Sequence, residues 1–262
     1  MFISCKMLLW TCQGDNFSKE GCMKKGLNSY QLKIIACVIM VIDHAGVIFF
    51  PDKLIFRIIG RIAFPIFAFF ISEGFFHTRS VPNYLRRLGI CAIVFQVPDW
   101  FSRIYSIAAN QPGFGVRYKF NIFATLFFGL LAVAFFDRLK NENIRLAWSA
   151  AAVVAVLAEI VGADYGAYGV LYIVVFYLSR GNIGKMLIGI TGLHGAYVLY
   201  DIAVSLIRTG NIFIANYLQL YSILAIPLLI MYNNERGKNA KYFFYVFYPL
   251  HLIVLYMIDM II

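Results

Sequence analysis

The 262-residue chain is 61% hydrophobic and only 14% charged, with a mean hydropathy of +0.76. A soluble domain is nearer half apolar, so this composition excludes an ordinary soluble enzyme and leaves one polytopic membrane domain. The formal charge of +10 would point a soluble chain towards nucleic acid. Here Lys and Arg sit in short loops between apolar runs, the positive-inside pattern, so the bilayer is the expected partner and nucleic acid is not.

Residues 1–30 read as a cytoplasmic extension, expected to be poorly ordered, ahead of a single transmembrane domain over 31–262. The apolar run Met7–Trp10 is shorter than the core of a signal peptide. Met23-Lys24-Lys25 reads as an ordinary bacterial start, which makes 1–22 an upstream extension. Cys5, Cys12 and Cys22 lack metal-ligand spacing, and Cys37 and Cys91 lie in expected spans as small buried hydrophobes.

A spanning helix needs about 20 mostly apolar residues. The apolar runs predict an all-α transmembrane bundle of about nine spans, within a range of about eight to ten. They cover 32–50, 56–76, 84–101, 120–137, 146–162, 166–179, 186–206, 212–232 and 242–260. The pair 146–162 and 166–179 also fits one re-entrant hairpin. Loops on the N-terminal side carry about twice as many Lys and Arg as the opposite loops, which places the N-terminus in the cytoplasm. The expected location is the bacterial inner membrane.

Ionisable groups at bilayer depth are costly and mark functional sites. They concentrate in the first two spans: Asp43, His44, Arg57, Arg61, Glu73 and His77. Near neutrality a histidine can take a proton from an amine or hydroxyl, which makes His44 a candidate general base, with Asp43 to orient it. Arg57 and Arg61, four residues apart, share a helix face. They suit phosphate, carboxylate or a developing oxyanion, and equally a structural ion pair with Asp43. Glu73 and His77, followed by Arg79, Arg86 and Arg87, form either an entry funnel for an anionic substrate or an ordinary basic loop. His251, after Pro249 in the last span, is expected at a depth similar to His44. His194, also mid-span, reads as structural. There is no P-loop, GxGxxG, HExxH or GxSxG, and His44 and His251 lack a third ligand, so no metal is expected.

DHAG, RIIGRIAFPIFAFFISEGFFHTRS, YLRRL, ADYGAYGV and YVFYPLHL, in that order, resemble blocks of the TraX family. The resemblance runs from about Leu32 to Tyr256. It implies acyl transfer from acetyl-CoA by an intramembrane histidine, as in the founding conjugation protein that acetylates the pilin N-terminus and in related multi-span acyltransferases. The carried-over positions are Asp43, His44, Arg57, Arg61, Glu73 and His251. Expected partners are acetyl-CoA as cosubstrate and an acceptor that is a pilin-like protein, a glycan or a lipid head group. Two other readings stand beside this one: a transporter or flippase for an anionic lipid or metabolite, and a non-catalytic membrane assembly protein.

Overall fold

The computed structural model describes residues 26–108, 119–214, 216–239 and 241–261. The extension up to residue 25, with Cys5, Cys12 and Cys22, lies outside them. Every regular element among the described residues is helical. Helix α1 (Ser29–Phe49) starts at a reciprocal cap, in which Asn28 and Gln31 each accept the other's backbone N–H. Then come α2 (Leu54–Gly60), α3 (Ala63–His77), α4 (Val81–Ala108), α5 (Ile122–Leu139), α6 (Ile144–Val161), α7 (Gly166–Leu178) and α8 (Ile183–Thr209). A 3-10 segment (Tyr217–Ala225) runs into α9 (Ile226–Ile230), and α10 (Lys241–Asp259) ends the fold.

Five stretches are long and apolar enough to cross a membrane: α1, the α2–α3 pair (Leu54–His77), α5, α6 and α8. Gly166–Leu178, Tyr217–Ile230 and Phe243–Asp259 are shorter apolar helices. The 28-residue α4, which carries Arg86, Arg87 and Gln96, is more polar and is not among these five. The protein is therefore an all-helical membrane protein. The outer face of α8 fits lipid and not water, with Ile188 76% and Ile207 84% exposed.

The second expected span is two helices. Pro65 has no N–H to give the Arg61 carbonyl, so the helix breaks at Arg61-Ile62 and restarts at Ala63. The α1–α2 hairpin is tight because of two glycines. A Cβ at Gly46 would overlap the Phe56 side chain, and one at Gly60 would overlap the Asp43 carboxyl group.

The core is α3, α5, α6 and α7. Ala147, Ala151, Ala155 and Ala158 form the buried stripe of α6, small enough for close helix approach. Helices α6 and α7 are separate, packed elements joined by a short link, in which Gly162 caps α6 in the left-handed region (φ 77°). The Glu159 carboxylate accepts the Ala167 N–H (2.9 Å) and so caps α7. Around this core, α1 packs on α2, α3 and α10. The segment after α9 is pinned beside the start of α1, with Leu27 N–H on the Met231 carbonyl (2.8 Å) and Ser29 N–H on the Glu235 carbonyl (2.8 Å).

Candidate active site

The geometry brings His44 and His251 together across 207 residues of sequence. His44 Nδ1 lies 2.8 Å from His251 Nε2, and the rings meet edge to edge and nearly coplanar, with centroids 5.0 Å apart and planes 25° apart. His251 is buried, with Phe247 stacked on one face (5.2 Å). The proton positions follow from the partners. His251 Nδ1 lies 2.9 Å from the Phe247 carbonyl, which only accepts, so Nδ1 holds the proton. In a neutral ring Nε2 then accepts, and His44 must donate to it from Nδ1. The lone pair of His44 is left on Nε2, which has no hydrogen-bond partner among the described residues. The pair is a one-way chain that fixes the tautomer a base needs.

Asp43 does not orient this ring. Neighbouring helical residues point about 100° apart. The Asp43 carboxylate accepts instead from Arg57 Nη1 at 2.7 Å. Arg61 Nη2 stands 4.0 Å from the other carboxylate oxygen. Arg61 Nη1 donates to the Gln219 side-chain oxygen at 3.3 Å, and its Nε donates to the Arg57 carbonyl at 3.4 Å. The ring of His44 is thus partnered by His251 and not by Asp43, and Gln219 joins the arginine cluster from a segment with no motif to announce it.

Glu73 and His77 keep only a loose contact, His77 Nδ1 to Glu73 Oε2 at 3.8 Å. Arg180, from the α7–α8 turn, grips the Glu73 carboxylate through Nε (2.8 Å) and Nη2 (3.3 Å). Those bonds from Glu73 hold the Arg180 guanidinium above its ordinary value, so it stays charged. His77 Nδ1 donates to the Glu73 backbone carbonyl (2.8 Å), with most of its side chain in the open. Arg180 was missed because in sequence it is one more basic loop residue; only packing shows its partner.

A cavity of about 530 Å³ opens at the end where α1 begins and runs inward between α1, α3, α4, α5 and α10. That volume is in the range of small-molecule sites, roughly 300–1,000 Å³. Its walls are mainly aromatic and aliphatic, including Phe67, Phe70, Phe123, Phe244 and Tyr245. Lys33, His77, Arg87, Arg236 and Lys238 supply its basic groups; Glu73, already held by Arg180, is the acidic residue of the lining. The Arg87 Nε is buried with no acceptor among the described residues. Arg79 and Arg86 are exposed and do not line the cavity, so the expected funnel of three arginines reduces to Arg87. Lys33, Arg236 and Lys238 take the other places. The histidine pair does not itself line the cavity, but two neighbours of the pair do. Met40, one turn before His44, lines the cavity, as does Tyr248, whose ring lies 5.8 Å from that of His251.

His194 sits in a separate buried network. Its Nδ1 donates to the Ile190 carbonyl (2.8 Å), and its Nε2 accepts from Ser222 Oγ (2.9 Å). Among the described residues no group of three or more His, Cys, Asp or Glu is placed to hold a metal.

The family model described as TraX protein matches residues 28–259, nearly all of the described chain. The chain belongs to the TraX family. This TraX-family protein is similar to the probable fimbrial assembly protein FimC, serogroup H1, of Dichelobacter nodosus. The two are 26% identical over 243 residues, covering 87% of this chain and 94% of that protein. An uncharacterized protein of Rickettsia prowazekii (strain Madrid E) is 49% identical over 45 residues, 17% of this chain and 18% of its own. No solved structure matches. The family blocks map onto the site just described: DHAG supplies Asp43 and His44, the RIIGRIAFP block supplies Arg57, Arg61 and the Pro65 break, and YPLH supplies His251.

Proposed function

We propose that this TraX-family protein is an integral acyltransferase of the bacterial inner membrane, with its N-terminus in the cytoplasm. It moves an acetyl group from acetyl-CoA to an envelope acceptor. The observation that carries this reading is a cavity with a basic mouth whose lining includes Met40 and Tyr248, neighbours of the hydrogen-bonded His44–His251 pair. In this reading the donor's phosphates meet Lys33, Arg87, Arg236 and Lys238, and the pantetheine arm lies along the aromatic wall. The thioester then stands within reach of His44.

The acceptor amine or hydroxyl attacks the thioester carbonyl while His44 Nε2 takes its proton. The tetrahedral intermediate collapses, the carbon–sulfur bond breaks, and the imidazolium returns the proton to the leaving thiolate. The products are the acetylated acceptor and free CoA. His251 keeps the His44 tautomer fixed, and the arginine cluster lies beside the charge that develops. The printed name of the Dichelobacter relative, a fimbrial assembly protein, favours a pilin-like acceptor over a glycan or lipid head group.

The test is release of thiol from acetyl-CoA by the purified protein in detergent, with native membranes as the acceptor source. Wild type is expected to release thiol, and His44→Ala to lose about 100-fold or more. No release and no binding of CoA by wild type would remove the acyltransferase reading and favour transport of an anion. The same relative's name also suits a non-catalytic assembly role. That role predicts that His44→Ala supports assembly as well as wild type does.

A further inference from the structure

The two arginines of the site, equivalent by sequence spacing, differ in what neutralises them. Arg57 holds the Asp43 carboxylate at 2.7 Å, and its side chain is 34% exposed. Arg61 is drier, at 12%, yet its nearest carboxylate oxygen is 4.0 Å away, beyond a hydrogen bond. The acceptors it reaches are neutral and distant: the Gln219 side-chain oxygen at 3.3 Å and the Arg57 carbonyl at 3.4 Å. Asp164, on the α6–α7 link, lies in its electrostatic reach without pairing to it. A guanidinium has five N–H donors, and these contacts use few of them. Keeping a nearly buried cation whose carboxylate stands 4.0 Å off and is held more closely by a second arginine is costly. That cost is typical of a charge kept ready for one that appears only during reaction. The fields of both arginines reach His44.

Gln219 explains how Arg61 is held by a neutral group while it shares the Asp43 carboxylate only at 4.0 Å. An amide oxygen orients a guanidinium; a carboxylate there would also cancel its charge. The segment that carries Gln219 is anchored three residues on. Ser222, on the same face of the 3-10 turn, bonds His194 (2.9 Å) and Tyr168 (3.1 Å) in the core. We infer that Gln219 is a positioning residue that presents Arg61 to the oxyanion of the tetrahedral intermediate, and that Arg57 serves instead to fix Asp43. This rests on the acyl-transfer reading above.

The experiment uses the full-length protein in detergent, acetyl-CoA as donor and native membranes as acceptor, with kcat and KM for acetyl-CoA measured separately. Thiol release by wild type tests acyl transfer itself, and its absence defeats that reading before this one is reached. Given a working wild type, Gln219→Glu is expected to lower kcat about 100-fold. KM for acetyl-CoA and the melting temperature are expected to hold, because a new ion pair supports the fold while it cancels the charge. Arg61→Lys, which loses the planar fork, is expected to fall similarly. Arg57→Lys keeps the pair with Asp43 and is expected to lose less than about fivefold. Should Gln219→Glu fail to fold, Gln219→Ala carries the test, with about a tenfold loss of kcat at constant KM. The inference is overturned if the Gln219 variants keep kcat within about threefold, if their effect falls on KM, or if Arg57→Lys loses as much as Arg61→Lys.

Discussion

Replacing His251 with Leu tests the tautomer argument directly. The substitution keeps an apolar body between Phe247 and Tyr248 and removes the acceptor, 2.8 Å away, that holds the His44 Nδ1 proton. A hydrogen bond between part-buried groups contributes about 0.5–1.5 kcal/mol, and leaving a donor without a partner costs about 1–3 kcal/mol. His44 would then escape by turning its ring or by moving the proton to Nε2, and either removes the lone pair from the reacting position. One decade of rate corresponds to about 1.4 kcal/mol, so His251→Leu is expected to lower kcat about 10–100-fold. KM for acetyl-CoA should stay put, because the basic mouth is untouched. His44→Ala should lose more, and the double variant no more than His44→Ala alone, since His251 acts only through His44. The assay is thiol release under saturating acetyl-CoA. Losses that multiply in the double variant would refute the relay. So would a His251→Leu enzyme as fast as wild type.

Three further outcomes are expected. Gly60→Ala forces a methyl group into the Asp43 carboxyl and spreads the α1–α2 hairpin; a loss of about 1–3 kcal/mol should show as a lower melting temperature in detergent, and an unchanged one would contradict the tight packing. Arg87→Ala is expected to raise KM for acetyl-CoA about tenfold, whereas Arg79→Ala stays within about twofold, because only the former lines the cavity; equal effects would mean a diffuse loop field. Glu73→Gln leaves Arg180, 42% exposed, without its carboxylate; solvent screens that loss to about 1 kcal/mol in a melting experiment, with kcat nearly unchanged. A large fall in kcat would restore Glu73 to the chemistry.

The sequence by itself determined the protein's class and singled out most of the polar side chains that the fold brings together. Apolar runs can be read for helix and membrane, and charge is expensive in such runs, so Asp43, His44, Arg57, Arg61 and His251 stood out without any structure. What periodicity supplies is depth along a helix and a shared face. It does not supply the rotation of that helix against its neighbours, nor which distant helix packs beside it. So Asp43 and His44, adjacent in the chain, take different partners, and His44 meets a ring 207 residues away. Glu73 binds Arg180 more closely than its i+4 histidine, and Gln219, an unremarked polar residue in an apolar run, meets Arg61. The split of the second span was also decided locally, since Pro65 withholds one N–H from the Arg61 carbonyl. The cavity is a property of five helices at once, and no single stretch of sequence contains it.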